Sequence, residues 1–423
     1  MQNNRNLQIG AAAGLLAISA YFIKNMASGG CPLGYGREYD IPSKPKSSSG
    51  YDNVVIGDVG GTNVRLQLIR LFHDKKDSHK KEILKQLTIY NPQKHESFKA
   101  CIIDFLKDVP ASCKPRVGVV GIAGPVNNNT VITVNIPHWP ASDGYAVSEE
   151  CGFDSFVFIN DFTAAGYGVS TLQSKDVTVL GNTGEAELQE GENSVKVVIG
   201  PGTGLGQGIL IKGEADGLYE TYPAEGGHVD FTVKNEDDYN LQVFARKFIE
   251  ESNNIENLRA KGKVGRMSVE RLCAGPAVPL IYAFMKEKHP DLECVLEKDT
   301  KYGKAKDFDT IESKDIISMA MTNNDPLCMK VVEKFTENFG TETGNLALKL
   351  LPYGGIYLIG GVTNGIKDYL INNTKFMDAF YDKGRLEQLM HKFQVLLVDP
   401  SIEIGLVGAE EKARREMLKT LSK

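Results

Sequence analysis

Residues 54–69 run Val-Val-Ile-Gly-Asp-Val-Gly-Gly-Thr-Asn-Val-Arg-Leu-Gln-Leu-Ile: a mostly apolar stretch, a glycine turn, and a second stretch in which apolar and polar positions alternate. Both flanks have strand character, so the pattern predicts a hairpin. Residues 196–211, Lys-Val-Val-Ile-Gly-Pro-Gly-Thr-Gly-Leu-Gly-Gln-Gly-Ile-Leu-Ile, repeat the plan. Two such hairpins about 140 residues apart predict a duplicated domain. After the first hairpin and a charged bend at 73–81, period-two or continuous apolar runs predict strands at 83–90, 117–122, 131–135 and 156–159. Helical spacing marks 96–106 and a helix start at 162–165, giving a βββαβαβα pattern. Beyond a polar loop at 181–191 and the second hairpin, helices are predicted at 237–249, around Asn257, at 276–286, and at 316–346 with a break at Asn323-Asn-Asp-Pro. A buried strand at 356–359 runs into a diglycine turn, 378–392 reads as a basic helix, 395–398 as a last strand, and a closing helix begins near Gly405.

Composition adds size and compartment to this outline. At 423 residues, 42% apolar and 24% charged, the chain can bury a large core and has the length of two domains with an appended segment. A net charge of −6 gives no sign of a nucleic-acid partner. Seven scattered cysteines without a C-x-x-C pair argue against both a disulfide framework and a zinc site, and fit reduced thiols in a cytosolic enzyme. Residues 6–23 carry no charge, with Arg5 before them and Lys24, Arg37, Lys44 and Lys46 after, a run near the lower limit for a bilayer span. Three readings stand: a membrane anchor, a targeting segment cleaved near Ala27 and Ser28, and an arm that is soluble or packs on the body. For an anchor, the excess basic charge on its C-terminal side puts the catalytic body in the cytosol. Residues 28–50, rich in Ser, Gly and Pro, read as a flexible tether, so the folded body begins near Tyr51.

The candidate chemistry starts at the two glycine turns. Gly60 and Gly61 let backbone N–H groups approach a bulky anion, with Thr62, Asn63 and Arg65 as further donors. Asp58 beside a phosphate is repulsive unless a cation such as Mg²⁺ lies between them. Read alone, the stretch also fits a polar hairpin turn. Neither hairpin matches G-x-G-x-x-G opening a helix, and no G-x-x-x-x-G-K-[ST] loop occurs. The strand at 156–159 delivers Asn160 and Asp161 at its C-terminal end, where open α/β sheets place their chemistry, although Asp161 also fits a helix cap. In Glu225-Gly-Gly-His228 two glycines let an acid and an imidazole point into one pocket, suiting a polyol. Ser268-Val-Glu270 alone reads as helix capping and Gly360-Gly361 as an ordinary strand-to-helix turn. His138 and Trp139 read as packing.

Together, Asp58-Val-Gly-Gly-Thr-Asn63, Ile159-Asn160-Asp161, Gly202-Thr-Gly-Leu-Gly206 and Glu225-Gly-Gly-His228 resemble the bacterial-type glucokinases of the hexokinase, actin and Hsp70 ATPase clan, from about Val54 to the C-terminus. The resemblance implies an α/β, duplicated ribonuclease H-like (actin/hexokinase-type) two-domain fold with a central cleft. Its parts would be an N-terminal segment and tether at 1–50, a small domain at 51–170 completed by a C-terminal helix at 403–423, and a large domain at 171–402. It implies ATP and Mg²⁺ as cofactors and phosphorylation of D-glucose to glucose 6-phosphate, the first step of glycolysis. Asp161 would be the catalytic base, and Asn135, Asn160, Asp161, Glu225, His228 and Glu270 would hold the sugar. ATP would lie on Asp58, Gly60, Gly61, Thr62, Asn63, Arg65, Gly202, Thr203, Gly204, Gly360 and Gly361, with Asp58 facing Mg²⁺ through water. The chain departs from the family pattern by one extra residue between Asn135 and Trp139. It also lacks the cysteine cluster that the repressor-type sugar kinases usually carry. Family members are often dimers, so a homodimer is among the expectations. Two alternatives stay open, a kinase for another hexose and a membrane-tethered glucose sensor with little turnover.

Overall fold

The computed structural model describes residues 50–73, 80–133, 135–181, 188, 194–214, 217–251, 265–293, 295–298 and 310–422. The apolar run at 6–23, the tether apart from Gly50, most of the bend at 73–81 and of the loop at 181–191, and the stretch around Asn257 lie outside the described residues. The chain divides into two compact units, one containing residues up to 171 together with 403–422, the other residues 172–402.

In the first unit β1 (Tyr51–Val59), β2 (Val64–Phe72) and β3 (Lys81–Tyr90) form an antiparallel meander. Helix α1 (Phe98–Leu106), N-capped by the Ser97 hydroxyl on the Ala100 N–H, then carries the chain to β4 (Val117–Ile122), parallel to β1. Three two-residue strands, β5 (Val126–Asn127), β6 (Thr130–Val131) and β7 (Ser142–Asp143), form a small separate sheet ahead of α2 (Gly144–Cys151). β8 (Ser155–Asn160) joins the main sheet parallel to β4 and leads directly into α3 (Asp161–Val169), completing the order β3-β2-β1-β4-β8. Every residue of β4 is buried, as its unbroken apolar run requires of a strand covered on both faces. One face packs Phe98, Phe105, Phe156 and Phe158; the other packs Val54, Ile56, Val119 and Tyr167 beneath α3 and the C-terminal helix Ile404–Ser422. That helix crosses α3 so closely that a Cβ on Gly408 would run into the Ala164 carbonyl.

The strand predicted at 131–135 stops at Val131. Alternation there loses to turn chemistry: the Thr133 hydroxyl donates to the Ile136 carbonyl (3.3 Å), the Ile136 N–H returns to the Thr133 carbonyl (3.3 Å), and Pro137 has no N–H for a ladder. Asn135 therefore lies in a turn and not at a strand end. Trp139 is buried edge-on against Phe98, its Nε1–H donating to the His95 carbonyl (2.8 Å).

The second unit repeats the arrangement. β10 (Lys196–Pro201), β11 (Leu205–Lys212) and β12 (Tyr219–Ala224) form the meander, and β13 (Ile356–Leu358) and β14 (Val395–Val398) add in parallel, for the order β12-β11-β10-β13-β14. An extra edge strand that periodicity did not predict, β9 (Val177–Val179), pairs antiparallel with β14. Between β12 and β13 lie α4 (Glu236–Glu251), α5 (Ala277–Lys288), α6 (Ser313–Asn323) and the long α7 (Pro326–Leu350). The break before α7 is made by Asn324 at φ +52°, the Asp325 carboxylate capping the Cys328 N–H, and Pro326 at the first helical position. After β13 come α8 (Gly361–Gly365), α9 (Lys367–Asn372), α10 (Lys375–Tyr381) and α11 (Glu387–Met390). The single helix predicted at 378–392 is thus replaced by two short helices, because Gly384, at φ +54°, turns the chain between them. Cys101, Cys113, Cys151, Cys273 and Cys328 are free thiols. Among the described residues no helix is long and apolar enough to cross a membrane.

Candidate active site

In the first unit the chemistry gathers at the C-terminal ends of the parallel strands. Asp58 of β1 lies directly opposite Arg65 of β2, and the side chains pair, Arg65 Nη1 to Asp58 Oδ2, at 3.0 Å. The turn between them closes with the Gly60 N–H donating to the Asn63 carbonyl (2.9 Å), and Asn63 Nδ2 donates to the Thr62 hydroxyl (3.3 Å). Thr62 is exposed, and Asn135 packs on the turn, where a Cβ on Gly61 would sit 3.0 Å from its Cβ. On its other side Asp58 is in register with Gly121 of β4, and Gly121 with Ile159 of β8, so Asp58 and Asp161 flank the end of β4.

Asn160, not Asp161, caps α3, accepting from the Phe162 and Thr163 N–H groups at 2.9 and 3.2 Å while its amide donates to the Gly124 carbonyl at 3.2 Å. Asp161 Oδ1 also accepts from the Phe162 N–H (3.0 Å). Burial pushes the Asp161 carboxyl up to about 6, and the nearby Asp58 charge adds to the rise against the pull of the Phe162 N–H. Asp58 is raised by burial too, opposed by the charge and hydrogen bond of Arg65. The result is a partly buried carboxyl held above the usual carboxylate range near the Asp58–Arg65 pair.

In the second unit the 3₁₀ turn Gly226–His228 follows β12 and folds His228 back towards Glu225, with Nε2 3.6 Å from Glu225 Oε2. His228 Nδ1 lies 3.2 Å from Glu270 Oε1, so two acids and one imidazole converge from two segments of chain. Glu225 and His228 are exposed and Glu270 is partly covered. Arg266 braces the turn by donating to the His228 carbonyl (2.7 Å). Glu270 rides on the 3₁₀ helix Val269–Leu272, which is tied to the glycine turn of the β10–β11 hairpin: the Gly275 N–H donates to the Gly202 carbonyl (2.8 Å), and a Cβ on Gly204 would meet Glu270 Oε2 at 3.0 Å. Gly202 and Thr203 are exposed. Gly360, at φ +101°, packs on the Pro201 carbonyl, and nothing would meet a Cβ on Gly361 within 4 Å. Acceptors and donors for a polyol and an open glycine turn for an anion are therefore neighbours in this unit.

The sequence matches the family model described as Glucokinase over residues 55–416. A glucokinase of Nostoc punctiforme is 31% identical over 371 residues, which span 86% of this chain and 99% of the relative. The chain belongs to the glucokinase family. Among solved structures, a glucokinase from an Antarctic psychrotroph aligns over 86% of this chain and 99% of its own, with a TM-score of 0.66 at 25% identity. A glucokinase from Balamuthia mandrillaris in complex with glucose shares the fold, with a TM-score of 0.68 at 18% identity over 87% of this chain and 95% of its own.

Within this glucokinase fold, the first unit brings together Asp58, the 60–63 turn, Arg65 and Asn135, with Asn160 and Asp161 across β4; the second brings together Glu225, His228, Glu270, Gly202 and Gly204. Arg65, read from sequence as a phosphate donor, spends Nη1 on Asp58. Sequence reasoning missed Gln207, Asn338, Glu342 and Asn345, which hydrogen-bond behind the segments that carry Glu225, His228 and Glu270. The available signal was the polar residues, Asn338 and Glu342 among them, on what should be the apolar face of α7.

Proposed function

We propose that the chain transfers the γ-phosphoryl group of ATP to the 6-hydroxyl of D-glucose, giving glucose 6-phosphate and ADP, the first step of glycolysis. The observation that carries the reading is the partly buried Asp161 carboxyl just past the end of β8, raised to about 6, in a member of the glucokinase family. As the 6-oxygen bonds to the γ-phosphorus and the bond to the ADP oxygen breaks, Asp161 accepts the hydroxyl proton. Glu225, His228, Glu270, Asn160 and Asn135 hold sugar hydroxyls and orient the nucleophile. The backbone donors of Gly61, Thr62 and Asn63 on one unit, and of Thr203 and Gly204 on the other, hold phosphate oxygens, with Gly360 and Gly361 against the nucleoside; Gly60 and Gly202, read from sequence as donors too, spend their N–H groups closing the turns, on the Asn63 carbonyl (2.9 Å) and the Gly204 carbonyl (2.8 Å). Arg65 keeps Asp58 ionised and in place.

The first unit's residues also fit Mg²⁺, which favours one or two carboxylates together with substrate phosphates. The Asp58 charge is close enough to raise the Asp161 carboxyl, and Gly405 keeps the C-terminal helix off Asp58 Oδ1, which a Cβ there would meet at 3.5 Å. A bound Mg²⁺, held through water by Asp58, would neutralise part of the triphosphate charge.

The matching strand orders support reading the two units as duplicated ribonuclease H-like domains of the actin/hexokinase type, small (51–170 with 403–423) and large (171–402). The basic flank of residues 6–23 supports a membrane anchor with a cytosolic catalytic body, and the family habit supports a homodimer. A coupled assay of glucose, mannose, galactose and fructose tests the substrate: glucose should give the highest kcat/KM, and a faster hexose would reassign the specificity.

A further inference from the structure

Helix α7 packs an apolar surface into the core of the second unit, and among the polar side chains it carries there Asn338, Glu342 and the half-buried Asn345 form one stripe. At i, i+4 and i+7 they share one face. Asn338 and Glu342 are almost fully buried, at 4% and 3% exposure. Burying an amide and a carboxylate is costly unless each finds partners, and apolar side chains would fill the same space without that cost.

The partners are specific. Asn338 Nδ2 donates to the Leu272 carbonyl (2.9 Å), the last residue of the 3₁₀ helix that carries Glu270. Glu342 Oε1 accepts from Gln207 Nε2 (3.2 Å). Gln207 in turn pairs across the ladder with Ala224, the residue before Glu225, and its Oε1 occupies the place that a Cβ on Gly226 would take. Asn345 Nδ2 donates to Glu342 Oε2 (3.4 Å) and to the Thr232 hydroxyl (3.1 Å), four residues past His228. Both Glu342 oxygens thus have donors, although burial still holds its carboxyl above the usual range. A small cavity lies against this stripe and is lined from the two segments by Phe231, Thr232 and Val269. One helix face therefore reaches both strands of chain on which the sugar ligands stand.

We propose that Asn338, Glu342 and Asn345, with Gln207 as the relay, are positioning residues that set the spacing of Glu225, His228 and Glu270 and hence the affinity for the sugar. None of the four is a ligand; each acts through the turn or 3₁₀ helix that it holds. The inference rests on reading Glu225, His228 and Glu270 as the glucose site.

Steady-state kinetics of the full chain test it, with ATP and glucose titrated separately, well below the thermal transition of each variant. Glu342→Ala and Asn338→Ala should each raise the glucose KM about five- to tenfold, the effect of losing one buried positioning hydrogen bond, with the ATP KM within about twofold. Glu342→Gln, whose amide oxygen can still accept from Gln207, should recover most of the loss. If Glu342→Ala does not fold, Asn345→Ala on the half-exposed end of the stripe carries the test, with a glucose KM rise of about twofold. Glu225→Gln is measured alongside. An unchanged glucose KM in folded Glu342→Ala and Asn338→Ala while Glu225→Gln raises it, parallel rises in both KM values, or no recovery in Glu342→Gln would each overturn the positioning role. No effect of Glu225→Gln would instead overturn the glucose-site reading, and the inference with it.

Discussion

Asp161 carries the chemical step in this account, and its environment makes two measurable demands. Asp161→Asn keeps the size and the backbone acceptor but cannot take a proton, so kcat should fall by about 10² or more while the glucose KM changes little. Near-normal turnover would remove Asp161 as the base. The wild-type residue, raised to about 6 chiefly by burial, works only when deprotonated, so kcat/KM should decline as pH falls through about 6 and level off above it. That acidic limb should vanish in Asp161→Asn. On the second unit, Glu225→Gln and His228→Ala should weaken glucose binding and leave ATP binding unchanged, as separate titrations would show. At this scale sequence reading works from residue type and local spacing, as at Asp161 and Glu225-Gly-Gly-His228. It misses Gln207, Asn338 and Glu342, whose hydrogen bonds span 135 and 66 residues of chain and leave no local pattern. Asn160 as the cap of α3 was equally ambiguous in sequence, because Asn and Asp cap helices about equally well.

Elements place these residues by close approach. Gly226 has no room for a side chain because Gln207 Oε1 fills the space, so Gly226→Ala should push the Glu225–His228 turn off β11 and raise the glucose KM, with a smaller effect on the ATP KM. At the other end of the chain, Gly408→Ala should force the C-terminal helix away from α3, costing about 1–3 kcal/mol and lowering the melting temperature, readable by thermal unfolding. The paired hairpins, the all-buried β4 and the break before α7 were legible because alternation, continuous apolar runs and Asn-Asp-Pro punctuation each have one structural outcome. Residues 131–135 were misread because five alternating residues satisfy a strand pattern just as well as the Thr133–Ile136 turn does. Residues 378–392 were misread because Gly384, inside an otherwise helical pattern, takes the left-handed conformation. Strand β9 is three residues long and has too few positions to show a period.

At the scale of the molecule, the strand order of the first sheet recurs in the second, with β9 added at its edge, and in sequence only the two glycine-rich hairpins pointed to that recurrence. The helices inserted between β12 and β13 carry no trace of the repeat, since they have no counterpart between β3 and β4 beyond α1. The family match begins at residue 55, so a chain starting at Ser48 should keep kcat and both KM values. Inactive truncated protein would show that the N-terminal arm packs on the catalytic body. If residues 6–23 anchor the protein, the full-length chain should sediment with membranes and resist extraction at high salt, since apolar burial is not screened by ions. Full-length protein wholly in the soluble fraction would remove the anchor. The most direct test of the whole account is ADP release from Mg²⁺-ATP by the full-length chain, with and without glucose. The account predicts release that depends on glucose and is matched mole for mole by glucose 6-phosphate; glucose binding without ADP release would contradict it and leave a sensor in place of a kinase.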